Sequence, residues 1–590
     1  MGREEKAQEV EKVEKAEEKA MTPPPPPETK LVGTGAAGGV AIGPAVVIDT
    51  VEVEIPDTDD PVASFNDAMA AVQADLVRLQ EQARNAGRSE AAEVLGAQAL
   101  MAEDPMLADS VAAGVAAGAT LDQAVTDTTA EIAAMFAAID DPYIAARATD
   151  VVEVTDRVRH HLAGVDSTDL GAIEVPSILV AAAITAAETA LLDPKVVLGF
   201  ITEAGGPTSH VAIIARSLGV AAVVGATGVV EMVNSGDAVA LDGASGDVAI
   251  RPSDETTAAF TARRDAFAAA REAAARFRGV RVTLGDRPVA VPANVGSRDD
   301  IELAIAEGAD GIGLLRTEFL FLDRAAAPSE EEQFEFYSLA AQGFDDTVVI
   351  RTFDIGGDKP APYLDIDPEE NPFLGVRGAR LYSQESDLFN TQVRAILRAA
   401  VHGDVSLMLP MISHVAEIRS VRAQIADVAQ QLADEGVAHE LPPVGVMVEV
   451  PAVALVADAV AAEVDFFSIG TNDLTQYTMA ADRTNGVLDG LQDPLHPAVL
   501  ALCKLTADAA HRHGITVSVC GLAAADPAGA VVLAAMGIDK LSVSARSVNP
   551  TKSVIDSLEA ATAERLVQPV LAAASAQEVR EVVRSESAAA

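Results

Sequence analysis

Eight short apolar runs alternate with helix-length stretches through the second half of the chain, and this alternation constrains the fold more than any other feature. The runs cover residues 289–295, 311–315, 348–353, 406–411, 444–448, 466–469, 516–519 and 541–544. Continuous apolar runs suit strands covered on both faces, and strands separated by helices pair in parallel. The pattern therefore predicts a (β/α)8 barrel of the TIM type. Side chains fill the interior of such a barrel, and its chemistry sits where the strand-to-helix loops converge at the C-terminal ends of the strands. Asn294, Arg316, Arg351, Glu449, Asn472, Asp473 and Cys520 all fall at or just past the end of a run.

The first half has a different texture. Residues 1–20 mix Glu and Lys, and Pro23 to Pro27 can neither continue a helix nor pair in a sheet, so 1–29 is expected to be a disordered tail. Val/Ile/Ala runs broken by glycines at 31–54 read as strands. Helix-length segments fill 61–164, enough for four or five helices, with Thr120 and Gln123 spaced as a capping box. Strand-like runs return at 177–183, 196–201 and 221–224, and a hairpin pattern closes the region at 238–250.

The expected organisation is thus multidomain α/β. An α/β subdomain (30–55 and 166–252) carries an inserted helical subdomain (58–165) and is followed by a linker helix (254–280), the barrel (282–575) and a C-terminal tail (576–590). The linker helix would be roughly 40 Å long at 1.5 Å per residue.

Charge narrows the partners. With 89 acidic against 42 basic residues the net charge is −47, which argues against nucleic-acid binding because phosphate contacts need a basic face. Basic protein partners fit that balance. Hydrophobic residues make up 49% of the chain, which excludes wholesale disorder. The two cysteines, Cys503 and Cys520, form no metal-like pair, and the expectation is a reducing, cytoplasmic setting. No apolar run is long enough to span a bilayer, so membrane insertion is not expected.

Three constellations can carry chemistry. Gly205-Gly206-Pro207-Thr208-Ser209-His210 leads into the apolar stretch 211–216, which places His210 in the first turn of a helix. Backbone amides at a helix start disfavour imidazolium and welcome phosphate, as a histidine that accepts a phosphoryl group requires. The plainer reading is a loop histidine beside a helix cap. Glu449 and Asp473 leave successive runs, and two carboxylates with open positions for substrate and water suit Mg²⁺. Arg316, Arg351 and Arg483 offer planar forks for carboxylate and phosphate oxygens. Rim salt bridges are the alternative for this group. Cys520, at a strand tip, is either a small buried apolar residue or a general acid toward carbon; Cys503 reads as core.

Taken together these segments resemble Enzyme I of the phosphoenolpyruvate-dependent sugar phosphotransferase system, the phosphoenolpyruvate-protein phosphotransferase family. The residues that carry the match are 205–210, Gly313-Leu314-Leu315-Arg316-Thr317-Glu318-Phe319-Leu320-Phe321, Arg351 to Lys359, Glu370-Asn371-Pro372-Phe373-Leu374-Gly375, and 465–477. Pyruvate phosphate dikinase and phosphoenolpyruvate synthase share the histidine and barrel motifs but need an ATP-grasp domain, for which 31–250 leaves no room. A barrel lyase or aldolase acting on pyruvate or oxaloacetate, and a non-catalytic scaffold, are the competing readings.

The resemblance implies roles residue by residue. His210 is then the phosphorylated nucleophile, and Thr189 hydrogen-bonds it at rest. Arg316, Arg351 and Arg483 hold phosphoenolpyruvate with Asn472 and Asp473, Glu449 and Asp473 ligate Mg²⁺, and Cys520 protonates the enolpyruvate to release pyruvate. The helical insertion docks HPr, the carrier that takes the phosphate on its own histidine, and the barrel forms a homodimer. Two positions depart from the family pattern. Pro207 stands where an Arg is common, and Leu522 where a glutamate usually follows the cysteine by two residues.

Overall fold

A computed structural model of the chain describes residues 27–48, 55–85, 89–137, 142–164, 175–184, 195–205, 219–322, 326–356, 369–483 and 486–588, with 53, 173, 211, 215, 324, 361, 363, 364 and 366 between them. The described residues fall into two compact units. The first draws on the chain before 51 and on 171–185 and 192–265, the second on 51–170 and on the chain from 266 onward.

The first unit is built on an eight-stranded mixed sheet. In chain order its strands are β1 (Thr29–Val32), β2 (Thr34–Ala37), β3 (Val40–Ile48), β4 (Ser177–Ala181), β5 (Val197–Thr202), β6 (Ala221–Val224), β7 (Ala238–Asp242) and β8 (Asp247–Ile250). They lie side by side as β1-β8-β7-β3-β4-β5-β6-β2. Strands β3 to β6 are parallel, and β1, β8, β7 and β2 are antiparallel to their neighbours. β4 and β6 are buried along their whole length, which is why both are apolar without alternation. β1 begins at Thr29, the last residue of the expected tail. The helix Asp254–Ala274 buries Phe260 against Ala240 and Ala249. Its Arg263 pairs with Asp242 at 3.1 Å and Asp247 at 2.9 Å, across the β7–β8 hairpin.

Five helices stand in the first part of the second unit: Pro61–Asn85, Ser89–Ala102, Pro105–Ala116, Leu121–Ala137 and Pro142–Leu162. Phe65, Leu76, Leu95, Val111, Val125 and Val154 form a core of their own. Asp104 accepts the Met106 N–H at 2.9 Å and Pro105 opens the helix, so this boundary follows from local sequence. The Thr120 box is half formed. Thr120 Oγ1 accepts the Gln123 N–H at 3.2 Å, but the Gln123 amide turns forward to Asp127 at 2.7 Å.

The second unit continues with a hairpin, β9 (Val282–Leu284) and β10 (Arg287–Val289), and then the barrel strands β11 (Ala293–Val295), β12 (Ile312–Leu315), β13 (Val348–Arg351), β14 (Val405–Leu409), β15 (Val444–Val448), β16 (Phe466–Ile469), β17 (Thr516–Val519), β18 (Lys540–Leu541) and β19 (Val543–Ser544). All barrel pairings are parallel. The last passage of chain closes the ring. β18 pairs with β17, and β19, one residue further on, pairs with β11. The run expected as one strand at 289–295 is divided, because Pro292 has no N–H to give; its carbonyl accepts from Val543 at 3.1 Å.

One sequence expectation is corrected. The segment 576–590, expected as a tail, forms the helix Ala576–Ala588, with Val579 fully buried and Val583 nearly so. Val579 and Val583 stand four residues apart, on one helical face, and that apolar stripe packs into the barrel core. Among the described residues no helix is long and apolar enough to cross a membrane.

Candidate active site

The C-terminal ends of β12, β13, β15, β16 and β17 bring the expected barrel residues together. Glu449 follows β15 directly and is fully buried. Its Oε1 accepts the Met411 backbone N–H at 2.6 Å, while Oε2 has no hydrogen-bond partner among the described residues. Burial, then the charges of Asp473 and Asp354, push the Glu449 carboxyl up to about 8 against the pull of Arg351 and Arg377. Gly470 packs tightly beside it, since a Cβ there would lie 3.1 Å from Glu449 Oε2.

Asn472 and Asp473 occupy the first turn of the helix Thr471–Met479, which follows β16 after a single glycine. Asp473 Oδ1 lies 3.2 Å from the Arg483 guanidinium and 3.7 Å from that of Arg377. Asn472 Oδ1 accepts the Leu522 N–H at 2.9 Å, fastening this helix to the loop after β17. The two backbones meet closely there. A Cβ on Gly521 would come within 1.9 Å of Thr471 Oγ1.

The arginines differ in what already holds them. Arg351 pairs with Glu318 at 2.9 Å and Asp354 at 3.5 Å, and these carboxylates keep it charged despite burial. Arg483 pairs with Asp473, and its guanidinium lies 5.2 Å from the centre of the Phe373 ring. Arg316, just past β12, makes no side-chain hydrogen bond or ion pair with a described residue, and burial followed by the Arg351 charge lowers its pKa. A desolvated cation beside another cation is a site waiting for an anion.

Cys520 follows β17 directly and is buried, with its sulfur 3.7 Å from the Ile469 carbonyl. Burial raises its pKa, with Ser468, Arg351 and Arg316 pulling the other way, so the thiol is protonated at neutral pH. Asn294 serves the fold. Its amide donates to the carbonyls of Cys520 and Ser542, and its oxygen accepts from the Ser542 hydroxyl at 2.7 Å.

Three family models cover the chain in order: the N-terminal domain of PEP-utilising enzymes over 32–147, their mobile domain over 173–246, and their PEP-binding domain over 271–560. The phosphoenolpyruvate-protein phosphotransferase of Haloferax volcanii is 42% identical over 564 residues, 92% of this chain and 98% of its own. Its counterpart from Bacillus subtilis is 38% identical over 560 residues, 93% of this chain and 98% of its own. The chain belongs to the phosphoenolpyruvate-protein phosphotransferase family. Of the site residues that the family resemblance implied, Arg316, Arg351, Glu449, Asn472, Asp473, Arg483 and Cys520 share the barrel mouth. His210 and Thr189 lie outside the described residues.

Three buried residues of this phosphotransferase-family site escaped sequence reasoning. Arg377 grips Asp354 with two bonds, Nε to Oδ1 at 3.0 Å and Nη2 to Oδ2 at 2.6 Å. Glu318 Oε1 accepts the Asp354 N–H at 3.0 Å as well as pairing with Arg351. Glu318 and Asp354 lay inside the recognised motifs, so their motif position was the available signal; Arg377, in an irregular loop two residues past the 370–375 motif, had none.

Proposed function

We propose that the chain takes the phosphoryl group of phosphoenolpyruvate onto His210, releases pyruvate, and passes the group to a histidine of HPr in the cytoplasm. The observation that carries this reading is the Arg316 guanidinium, which meets no side-chain partner among the described residues, next to Arg351 at a barrel mouth that also holds the Glu449 and Asp473 carboxyls and a protonated thiol. Arg316 and Arg351 receive the phosphate, and Arg483 and Asn472 complete the hold on the substrate. Glu449 and Asp473 would hold Mg²⁺. The Glu449 Oε2, without a hydrogen-bond partner among the described residues, fits that role. When bound, the ion neutralises charge on the phosphoryl and enolate oxygens.

In the transfer the bond between phosphorus and the enol oxygen breaks and a bond from the His210 imidazole to phosphorus forms. The electron pair left on enolpyruvate takes the Cys520 proton at its methylene carbon, giving pyruvate. Thr189 holds the resting imidazole. Reacting atoms must come within about 3–3.5 Å, so His210 meets the barrel mouth in one state and HPr, on the helical subdomain, in another. Two chains pair through their barrels.

Mixing the protein with phosphoenolpyruvate, Mg²⁺ and HPr tests the proposal. Pyruvate release matched by phosphorylation of HPr supports it. Pyruvate formed without phosphorylated HPr indicates a lyase or hydrolase at the same site, and no reaction indicates a scaffold.

A further inference from the structure

The C-terminal helix Ala576–Ala588 is tied to the rim of the barrel by one side chain. Arg580 Nη2 lies 3.2 Å from Asp493 Oδ1 and 2.9 Å from Asp526 Oδ2, and Nη1 pairs with Asp493 Oδ2. Neither aspartate is a loose surface charge. Asp493 Oδ1 accepts the Leu495 N–H at 3.0 Å. Asp526 Oδ1 accepts those of Ala528 at 2.8 Å and Gly529 at 3.1 Å, capping the helix Pro527–Ala535. Each aspartate is thus fixed within its own segment, and the guanidinium fixes the two segments to each other. The helix that carries Arg580 is anchored by the buried Val579 and Val583.

The two segments are those that follow β16 and β17. The first carries Asn472, Asp473 and Arg483; the second begins at Cys520. They are joined once on the inner side, where Asn472 accepts the Leu522 N–H, and again on the outer side by Arg580. The outer joint also leads back to the site. Next to Asp493, the Gln492 amide donates to the Asp482 carbonyl at 2.8 Å, and the adjoining Arg483 pairs with Asp473.

We propose that Arg580 is a positioning residue for phosphoenolpyruvate, setting the spacing of the two rim segments through Asp493 and Asp526 without touching the substrate. The inference rests on the assignment of Asn472 and Arg483 to the substrate. It makes the C-terminal helix part of the binding apparatus as well as of the fold.

Equilibrium binding of phosphoenolpyruvate in the presence of Mg²⁺, measured by calorimetry on the full-length chain, tests this. A His210→Ala background prevents turnover. Adding Arg580→Met, which keeps the apolar stem, should raise the Kd about fivefold, the equivalent of one part-exposed ion pair. Asp493→Asn should do the same, Arg580→Lys should fall between, and the Arg580→Met/Asp493→Asn double variant should be no worse than either single one. An unchanged Kd in folded variants with a lowered Tm overturns the inference alone, because the pair then serves only to pin the helix. If Arg580→Met does not fold, Asp493→Asn carries the same test, and loss of folding in both also overturns it. Failure of the His210→Ala parent to bind phosphoenolpyruvate overturns the assignment of the pocket and this inference with it.

Discussion

Met411 donates its backbone N–H to Glu449 Oε1 at 2.6 Å from a left-handed conformation, φ 55°, that methionine seldom adopts. The turn at the end of β14 is held there by its surroundings. The Tyr477 hydroxyl lies 3.9 Å from the Met411 sulfur and donates to the Phe373 carbonyl at 2.5 Å. One carboxylate oxygen is thereby aimed and the other left bare, which is the arrangement a metal ligand needs.

Substitution at Met411 should therefore act through the metal. In Met411→Ile the β-branched side chain opposes the left-handed backbone and turns the N–H away from Glu449. We expect Mg²⁺ activation to weaken by roughly tenfold. Met411→Gly, which accepts that conformation, should weaken it less. Titrating activity with Mg²⁺ at saturating phosphoenolpyruvate measures both.

The raised Glu449 pKa gives a signed pH dependence. Without divalent cation, the folded chain keeps a proton on Glu449 from its ordinary 4.5 up to about 8, whereas the unfolded chain releases it at the lower value. Stability should therefore fall as pH rises through that window, and level off above it. Glu449→Gln, neutral at every pH, should remove this slope. Denaturant midpoints against pH, compared between wild type and variant, decide the matter.

Arg316 and Arg377 should respond in opposite ways. Removing the Arg316 charge takes away a cation with no partner among the described residues, so Arg316→Met should leave Tm unchanged or raised while kcat/KM for phosphoenolpyruvate drops by about 10² or more. Removing that of Arg377 takes the two-bond grip from the buried Asp354, which Arg351 meets at 3.5 Å, and Arg377→Met should cost about 3 kcal/mol of stability. Thermal unfolding alongside steady-state kinetics separates the two effects.

Cys520 should matter in one half of the reaction only. Cys520→Ala is expected to slow phosphorylation by phosphoenolpyruvate by about 10²–10⁴ through loss of the proton donor. Exchange of phosphate between HPr and His210 involves no carbon protonation and should proceed at the wild-type rate. Following the two half-reactions separately checks this.

The barrel was legible because its strands are continuous apolar runs, and Arg316, Arg351, Glu449 and Cys520 could be picked out because each stands within two residues of the end of a run. What sequence reading missed depends on distant partners. Arg377 meets Asp354 across 23 positions inside irregular loops, where no periodicity exists to read. The C-terminal helix did carry a signal, Val579 and Val583 four residues apart on one face, which the expectation of a tail at 576–590 leaves unused. Pro292 was read through, although its missing N–H divides the first run. Asn294 stands near the end of its run, yet its bonds to Cys520 and Ser542 mark it as part of the barrel's closure.

In the proposed reaction one imidazole carries the phosphoryl group. Intact mass spectrometry of wild type and His210→Ala after incubation with phosphoenolpyruvate and Mg²⁺ tests it most directly. The wild type should gain one acid-labile phosphoryl group and the variant none. An unmodified wild type, or equal modification of both, would contradict it.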